Sequence, residues 1–306
     1  MEEDLNKQPP ANKPETTEKY TDFLKRVGEA HILPTGEGEW SPEELRQKLS
    51  DVFREYGAVA LEKNGGKIFM TLSGGLDSTT ALAFLRKNFP EAEIITFTMG
   101  GSADHEDILH ARLAAEKFGS NHNEFIPTAD QIHEALMEYK KEREGEGFRV
   151  DLEEATKTGN FDVYLLYKYI SKLNPNTLLV HDGIDELMGG YWNHRKNMEE
   201  DGRKITEEER KKIFEDYWKV LIPDHLEPLI RTSSNFNIDL LFPYLDQKII
   251  EAVSRIPLSD RTSKKTSKLP MREIAQELGV PKEILERSKR GQVGMLDVEE
   301  LKEGRM

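Results

Sequence analysis

The sequence contains no cysteine. This absence excludes disulfide bonds, zinc sites built on thiolates, iron–sulfur clusters, and catalysis through a cysteine nucleophile or persulfide. Long hydrophobic runs are also missing, since no stretch approaches the roughly 18 to 20 apolar residues that cross a bilayer. The start, Met1-Glu2-Glu3-Asp4, is acidic and unlike the basic opening of a secretory signal. The sequence therefore predicts a cytoplasmic protein without a membrane partner.

Basic residues are outnumbered, with 43 Lys and Arg against 57 Asp and Glu, which gives a net charge of −14. An acidic surface argues against a general binder of phosphate backbones, so nucleic acid is an unfavoured partner. The length of 306 residues suits one large domain or two modest ones. With 37% hydrophobic and 33% charged residues, the composition is typical of a globular chain.

Short apolar segments alternate with amphipathic ones in the first two thirds of the sequence. A helix opens at Ser41-Pro42-Glu43-Glu44, where serine caps and proline takes the first helical position, and it runs to about Glu62. Strands are predicted at 67–72, 93–98, 123–126 and 177–180. Helices are predicted at 79–85, 104–118, 129–143 and 161–173. This alternation predicts an α/β fold, a parallel sheet flanked by helices, with ligands beyond the carboxyl ends of the strands.

The remainder of the chain differs in pattern. Residues 1–20 have almost nothing to bury and are predicted to form a flexible tail. Residues 21–196 are predicted to form the α/β part, and 197–306 a mainly helical C-terminal extension of the same domain. Its helices are expected at 207–221, 246–256, 269–278 and 281–286.

The segment Ser73-Gly74-Gly75-Leu76-Asp77-Ser78 lies between the first strand of this pattern and the following helix. Glycines let the backbone approach an anion, and the helix N-terminus and two serine hydroxyls supply donors, so the segment suits phosphate. Asp77 fits such a place if Mg²⁺ lies between its carboxylate and the phosphate oxygens. The Walker pattern is absent, which removes the main support for a kinase-like or GTPase-like protein. The plain alternative is a capped glycine turn.

The glycine segment resembles the pyrophosphate-binding loop of the N-type ATP pyrophosphatases, the PP-loop ATPases with an adenine nucleotide alpha hydrolase-like fold. Within that superfamily the chain resembles the synthetase domain of asparagine synthetase and of its relative β-lactam synthetase. The likeness extends over about residues 65–292. It rests also on the segments 97–104, 111–125, 182–191, 242–246, 268–273 and 287–289.

The resemblance implies a ligase that uses ATP and Mg²⁺ to adenylate a small-molecule carboxylate, releases pyrophosphate, and passes the acyl group to ammonia or an amine. It implies that Asp77 and Asp185 bind the metal and that Lys268 is catalytic, stabilising charge at the α phosphate. Asp182 is expected to bind or deprotonate the amine, and Arg272 and Lys289 to line the same anionic pocket. The nucleotide-binding residues are expected to be Ser73, Gly74, Gly75, Asp77, Ser78, Gly183 and Arg272.

Two features depart from the family pattern. Glutamine-using asparagine synthetases begin with a cysteine nucleophile on an amidotransferase domain, and this sequence has neither. The chain is therefore expected to use free ammonia, ammonia from a separate glutaminase subunit, or the amine of another substrate. At the start of the segment 182–191, Asp182 stands where the family usually has glutamate, and His181 before it replaces a small residue. This difference puts aspartate as substrate in doubt.

Three hypotheses follow. The first is an amide-forming ligase of the asparagine-synthetase type without a glutaminase. The second keeps the adenylation chemistry but directs it to a tRNA base or another amine. The third is a nucleotide-binding regulatory protein that has lost turnover, motivated by the altered Asp182 loop. The sequence leaves open the carboxylate, the amine and whether the chain forms a homo-oligomer.

Overall fold

The computed structural model describes residues 14–35, 39–145, 160–197 and 201–287. The strands are β1 Lys67–Thr71, β2 Glu93–Met99, β3 Asn121–Phe125, β4 Thr177–Leu179 and β5 Asp239–Leu241. The first helices are α1 Pro14–Glu29, α2 Pro42–Lys63, α3 Leu76–Asn88, α4 Glu106–Phe118, α5 Ala129–Gly145 and α6 Asn160–Ser171. They are followed by α7 Ile184–Met188, α8 Glu207–Leu221, α9 Glu227–Asn235, α10 Gln247–Val253, α11 Leu258–Arg261, α12 Leu269–Glu277 and α13 Lys282–Glu286.

The five strands form one parallel sheet in the order β3-β2-β1-β4-β5. Parallel neighbours require crossovers, and helices supply them on both faces. From β1 the chain adds β2 and β3 on one side and then β4 and β5 on the other, so the strand order reverses between β1 and β4. Ligands of open α/β sheets bind at such a switch point. The predicted fold class, a parallel sheet flanked by helices, is confirmed.

The sequence located most elements of the α/β part. Ser41 caps α2 as predicted, and its side chain accepts a hydrogen bond from the backbone N–H of Glu44. Helix α8 spans the predicted residues 207–221 and begins with a capping box between Thr206 and Glu209. No helix in the described ranges combines the length and the apolar character of a membrane span.

One boundary of the predicted division differs in the structure. Helix α1 begins at Pro14, inside the segment predicted to be a tail, and Tyr20 is buried, with its hydroxyl hydrogen-bonded to the backbone of Leu240 in β5. Residues 1–13 lie outside the described part of the chain. Besides its helices, the described C-terminal part contains strand β5, which extends the sheet by pairing with β4. The sheet is therefore shared between both parts of the chain.

The hydrophobic core surrounds the sheet and reaches into the C-terminal helices. Rings pack across this boundary. Phe53 of α2, which stacks on Phe84 of α3 at 5.5 Å, meets Tyr244 edge to face at 5.1 Å. A smaller cluster joins α5 and α6 to the ends of β2 and β3. Packing of this kind holds the loops at the carboxyl edge of the sheet in fixed positions.

Candidate active site

The glycine loop connects β1 to α3. Gly74 has a φ of +66°, and a Cβ on it would lie 2.3 Å from the backbone nitrogen of Ala111, so the loop lies directly on α4. Ser73 Oγ and Ser78 Oγ are 3.2 Å apart, and the Gly75 N–H donates weakly to Ser73 Oγ. No side chain caps α3 at Gly75. The loop thus presents backbone donors and a helix N-terminus, the arrangement that binds phosphate.

Two carboxylates and one ammonium meet beside this loop. Lys268, at the start of α12, contacts the carboxylate of Asp77 in the first turn of α3 and lies 2.6 Å from Asp185 Oδ1 in α7. The Lys268 side chain is 4% exposed, and the two aspartates are 14% and 15% exposed. The structure therefore brings together three residues that the sequence resemblance singled out.

The charge of Lys268 is set by its neighbours. Burial by itself lowers the pKa of this ammonium, but Asp185 and Asp77 outweigh burial and hold the pKa above its ordinary value. Lys268 therefore carries its charge at neutral pH. Its backbone lies in the left-handed region with a φ of +52°, which is uncommon for a residue with a side chain. This strain is consistent with a functional position.

Two glycines leave room for Asp185 to approach Lys268 and Asp77. A Cβ on Gly190 would lie 1.5 Å from Asp185 Oδ1 and 2.6 Å from Lys268 Cε. Gly183, which precedes α7, has a φ of +92°, and a Cβ there would lie 2.2 Å from a side-chain carbon of Leu245. Gly183 was predicted to bind nucleotide. In the structure it also allows the turn that brings Asp185 toward Asp77.

An open cleft lies at the carboxyl ends of β1, β2 and β4. Ser73, His181 and Asp182 line it from the strand ends, and Tyr167 of α6 lines it from above the sheet. The Nδ1 atom of His181 is buried and has no hydrogen-bond partner in the described part of the chain. Asp182 also lines this cleft, and its role toward an amine stays a prediction.

A buried pair that sequence reasoning did not assign lies behind Asp185. The Tyr191 hydroxyl donates to Glu186 Oε1 at 2.6 Å, and Glu186 is buried. Burial, followed by the charge of Asp185, raises the pKa of Glu186. Burial and the neighbouring Glu186 raise the pKa of Tyr191. Both residues belong to the segment 182–191, through which the sequence resembles the family. That resemblance was the signal that could have found them, and only their contact with each other was missed.

Of the two basic residues that were predicted to line the anionic pocket with Lys268, the structure describes only Arg272. Arg272 donates from Nε to the Ser267 carbonyl at 2.9 Å and from Nη1 to the Leu285 carbonyl. Burial lowers its pKa. Arg272 thus holds backbone on both sides of α12, and its role toward nucleotide stays a prediction. Lys289 lies outside the described residues.

The residues present suit a magnesium ion only in combination with another ligand. In the described ranges no group of three or more His, Asp or Glu side chains is arranged to hold a metal. Asp77 and Asp185 nevertheless converge on one point, and Asp77 Oδ1 is buried with no hydrogen-bond partner among the described residues. Mg²⁺ commonly takes one or two carboxylates and completes its shell with phosphate oxygens and water. The donor set fits that pattern.

The fold and the site define an α/β protein whose polar centre lies at the switch point of a parallel sheet, beside a glycine loop and a helix N-terminus. The asparagine synthase family model matches residues 58–227 and 218–303. The chain belongs to the asparagine synthase family.

Individual relatives agree with this assignment. The glutamine-hydrolysing asparagine synthetase of Homo sapiens is 31% identical over 236 residues, and that of Mus musculus is 30% identical. In both cases the match covers 73% of this chain and 38% of the relative. The chain therefore corresponds to well under half the length of these relatives. The NMN synthetase of Francisella tularensis, a solved structure, aligns over 87% of this chain and 82% of its own, with 16% identity and a TM-score of 0.43.

Proposed function

We propose that this chain adenylates a carboxylate with ATP and releases pyrophosphate, and that an amine then displaces AMP to form an amide. The observation that carries the proposal is the contact of Lys268 with Asp77, beside the glycine loop, and with Asp185 of α7. These residues come from distant parts of the sequence and are held together in a largely buried position. Family membership supports a ligase that uses ATP.

The glycine loop is proposed to bind the outer two phosphates. Its backbone donors and the N-terminus of α3 supply partial positive charge where those phosphates would lie. With the outer phosphates held, attack falls on the α phosphorus and pyrophosphate is the leaving group. Mg²⁺, held by Asp77 and Asp185, would supply further positive charge to the phosphates when bound.

Lys268 is proposed to stabilise the charge that develops on the α phosphate. The raised pKa keeps it cationic, and burial strengthens its field, because a charge acts more strongly where water is excluded. An ammonium on four flexible methylenes can turn from carboxylates toward an arriving phosphate.

The cleft is proposed to bind the nucleoside and the carboxylate substrate together. Asp182 and His181 lie on its wall, and an aspartate there is able to accept a proton from an incoming amine. Because the relatives are named asparagine synthetases, we propose aspartate as the first carboxylate to test. We further propose ammonia as the nitrogen source, supplied free or by a separate glutaminase subunit. A cytoplasmic location stays a prediction.

The test is product analysis with purified protein, Mg²⁺, ATP, aspartate and ammonium, followed by a panel of other carboxylates and amines. AMP and pyrophosphate should appear in equal amounts, and formation of ADP would overturn the proposal. Asp77→Asn should reduce pyrophosphate release at least 100-fold because it removes charge at the centre of the cluster. Asp216→Asn is the matched control, since Asp216 is half exposed and pairs with Lys212 on the surface of α8.

A further inference from the structure

Arg287, which follows α13, reaches the glycine loop from the C-terminal part of the chain. Its Nη1 donates to the carbonyl oxygen of Ser73 at 3.1 Å, and its Nη2 pairs with the carboxylate of Asp107 in the first turn of α4. The side chains of Arg287 and Asp107 are only 11% and 16% exposed. One guanidinium therefore joins the loop to the helix on which the loop lies.

These contacts act on the part of the loop that determines its shape. Ser73 begins the loop, and its hydroxyl contacts Ser78 and accepts from Gly75. The next residue, Gly74, lies against the backbone of α4 with no room for a Cβ. Charge-assisted hydrogen bonds are stronger and more directional than neutral ones, and a planar guanidinium can bind two acceptors in a fixed geometry. Arg287 thus fixes the carbonyl of Ser73 relative to α4.

Arg287 and Lys268 lie at opposite ends of one structural unit. Helix α12 begins after Lys268, and α13 ends just before Arg287. Arg272 ties the two ends together, because it donates to carbonyls of Ser267 and Leu285. The unit therefore contacts the glycine loop twice, through Asp77 with an ammonium and through Ser73 with a guanidinium.

We propose that Arg287 is a positioning residue that holds the glycine loop in the shape that binds the outer phosphates of the nucleotide. This inference rests on the proposed function, since it assumes that those phosphates lie in the loop. Arg287 acts through the Ser73 carbonyl and the Asp107 carboxylate, and its effect is confined to ligands that reach the loop. A ligand that carries only the innermost phosphate does not depend on it.

The experiment measures binding of inorganic pyrophosphate, ATP and AMP by calorimetry in the presence of Mg²⁺, with the full chain and its variants. Arg287→Gln should weaken pyrophosphate and ATP about tenfold, the scale of one lost charge-assisted hydrogen bond, while AMP stays within about twofold. Asp107→Asn should have a similar effect, because it removes the same bridge from its other end and keeps the guanidinium. Arg287→Lys should fall between, since an ammonium cannot bind both acceptors in the same geometry.

Arg255→Gln is the matched control, because Arg255 forms an exposed ion pair with Glu44 at 3.0 Å and should leave all three affinities unchanged. The inference is overturned if Arg287→Gln binds pyrophosphate as the wild type does, or loses AMP equally. It is also overturned if Asp107→Asn has no effect while Arg287→Gln does, since Arg287 would then bind phosphate directly. Should Arg287→Gln not fold, Asp107→Asn alone decides. Failure of the wild type to bind pyrophosphate and ATP would instead refute the proposed function beneath it.

Discussion

Replacing Lys268 by methionine removes the ammonium from between two carboxylates and keeps a side chain of similar length. Asp77 and Asp185 are mostly buried, and Lys268 is the cation that the structure places in contact with both. Without it, two like charges face each other with reduced access to water. We therefore expect Lys268→Met to destabilise the fold as well as to abolish adenylation.

The size of the effect follows from the geometry. At an effective dielectric constant of about 20, unit charges separated by 2.6 Å, the distance from Lys268 Nζ to Asp185 Oδ1, attract by roughly 6 kcal/mol. Desolvation of the buried ions offsets part of this attraction, and removal of one partner from such a pair typically costs about 3 to 5 kcal/mol. The melting temperature of a domain of this size would fall by roughly 5 to 8 °C.

Urea denaturation at neutral pH, with and without millimolar MgCl₂, is the assay. Mg²⁺ should stabilise Lys268→Met more than the wild type, because a divalent cation can neutralise the carboxylates that the ammonium leaves behind. The raised pKa of Lys268 means that its contribution is complete below the ordinary lysine pKa and is lost as pH rises through the folded value, so the two proteins should converge only in strong alkali. Lys211→Met, at an exposed pair with Glu208, is the control and should change stability by less than about 0.5 kcal/mol.

A variant as stable as the wild type, with no response to Mg²⁺, would refute this account of the cluster.

Two further changes test other positions. Gly190→Ala places a Cβ close to Asp185 Oδ1, so it should separate Asp185 from Lys268 and reduce pyrophosphate release at least 100-fold. Gly145→Ala is the control, because there is open space around Gly145, and equal rates for the two variants would contradict the geometry. Asp162 is buried, and burial raises its pKa to about 7, so the folded chain retains a proton that the unfolded chain has lost and stability falls as pH rises from about 4 to 7. Asp162→Asn should flatten this profile in urea titrations and be more stable at pH 8 by about 1 to 3 kcal/mol, while parallel profiles would show that burial does not control the group.

Local pattern was sufficient to predict the α/β part. The run before the glycine loop is short and apolar, and Ser41-Pro42 marks a helix start, so β1 and α2 lie within a residue or two of their predicted bounds. Such signals depend on neighbours in sequence, which is why they could be interpreted without the structure.

The elements that were missed depend on partners far along the chain. Strand β5 has three residues, too few to show an alternating pattern, and exists because it pairs with β4. Helix α1 has a polar beginning, but Tyr20 hydrogen-bonds with Leu240, and Phe23 stacks on Phe242 at 5.1 Å. No periodicity within a segment predicts a contact of this kind.

The residues of the site likewise fall into those that local sequence predicts and those that depend on distant contacts. The strand, glycine loop and helix could be predicted from residues adjacent in sequence, and phosphate binding at this loop stays a prediction. Lys268 could be singled out only through the family resemblance, since it is one of 43 basic residues. Arg287 was part of a quoted motif, yet its contact with Ser73 depends on the fold of the entire C-terminal part.

The predicted division at residues 196 and 197 therefore does not separate independent functions. Strand β4 pairs with β5, and Asp77 and Asp185 meet a lysine that lies beyond that boundary. Without residues 201–287 the sheet would end at β4 with an unpaired edge, and the two carboxylates would lack the ammonium. Because the C-terminal part supplies both the last strand and this charge, a ligand that binds at the carboxylates and the glycine loop favours the docked state of that part by mass action. We therefore expect ligand binding at the site and folding of the C-terminal part to be thermodynamically coupled.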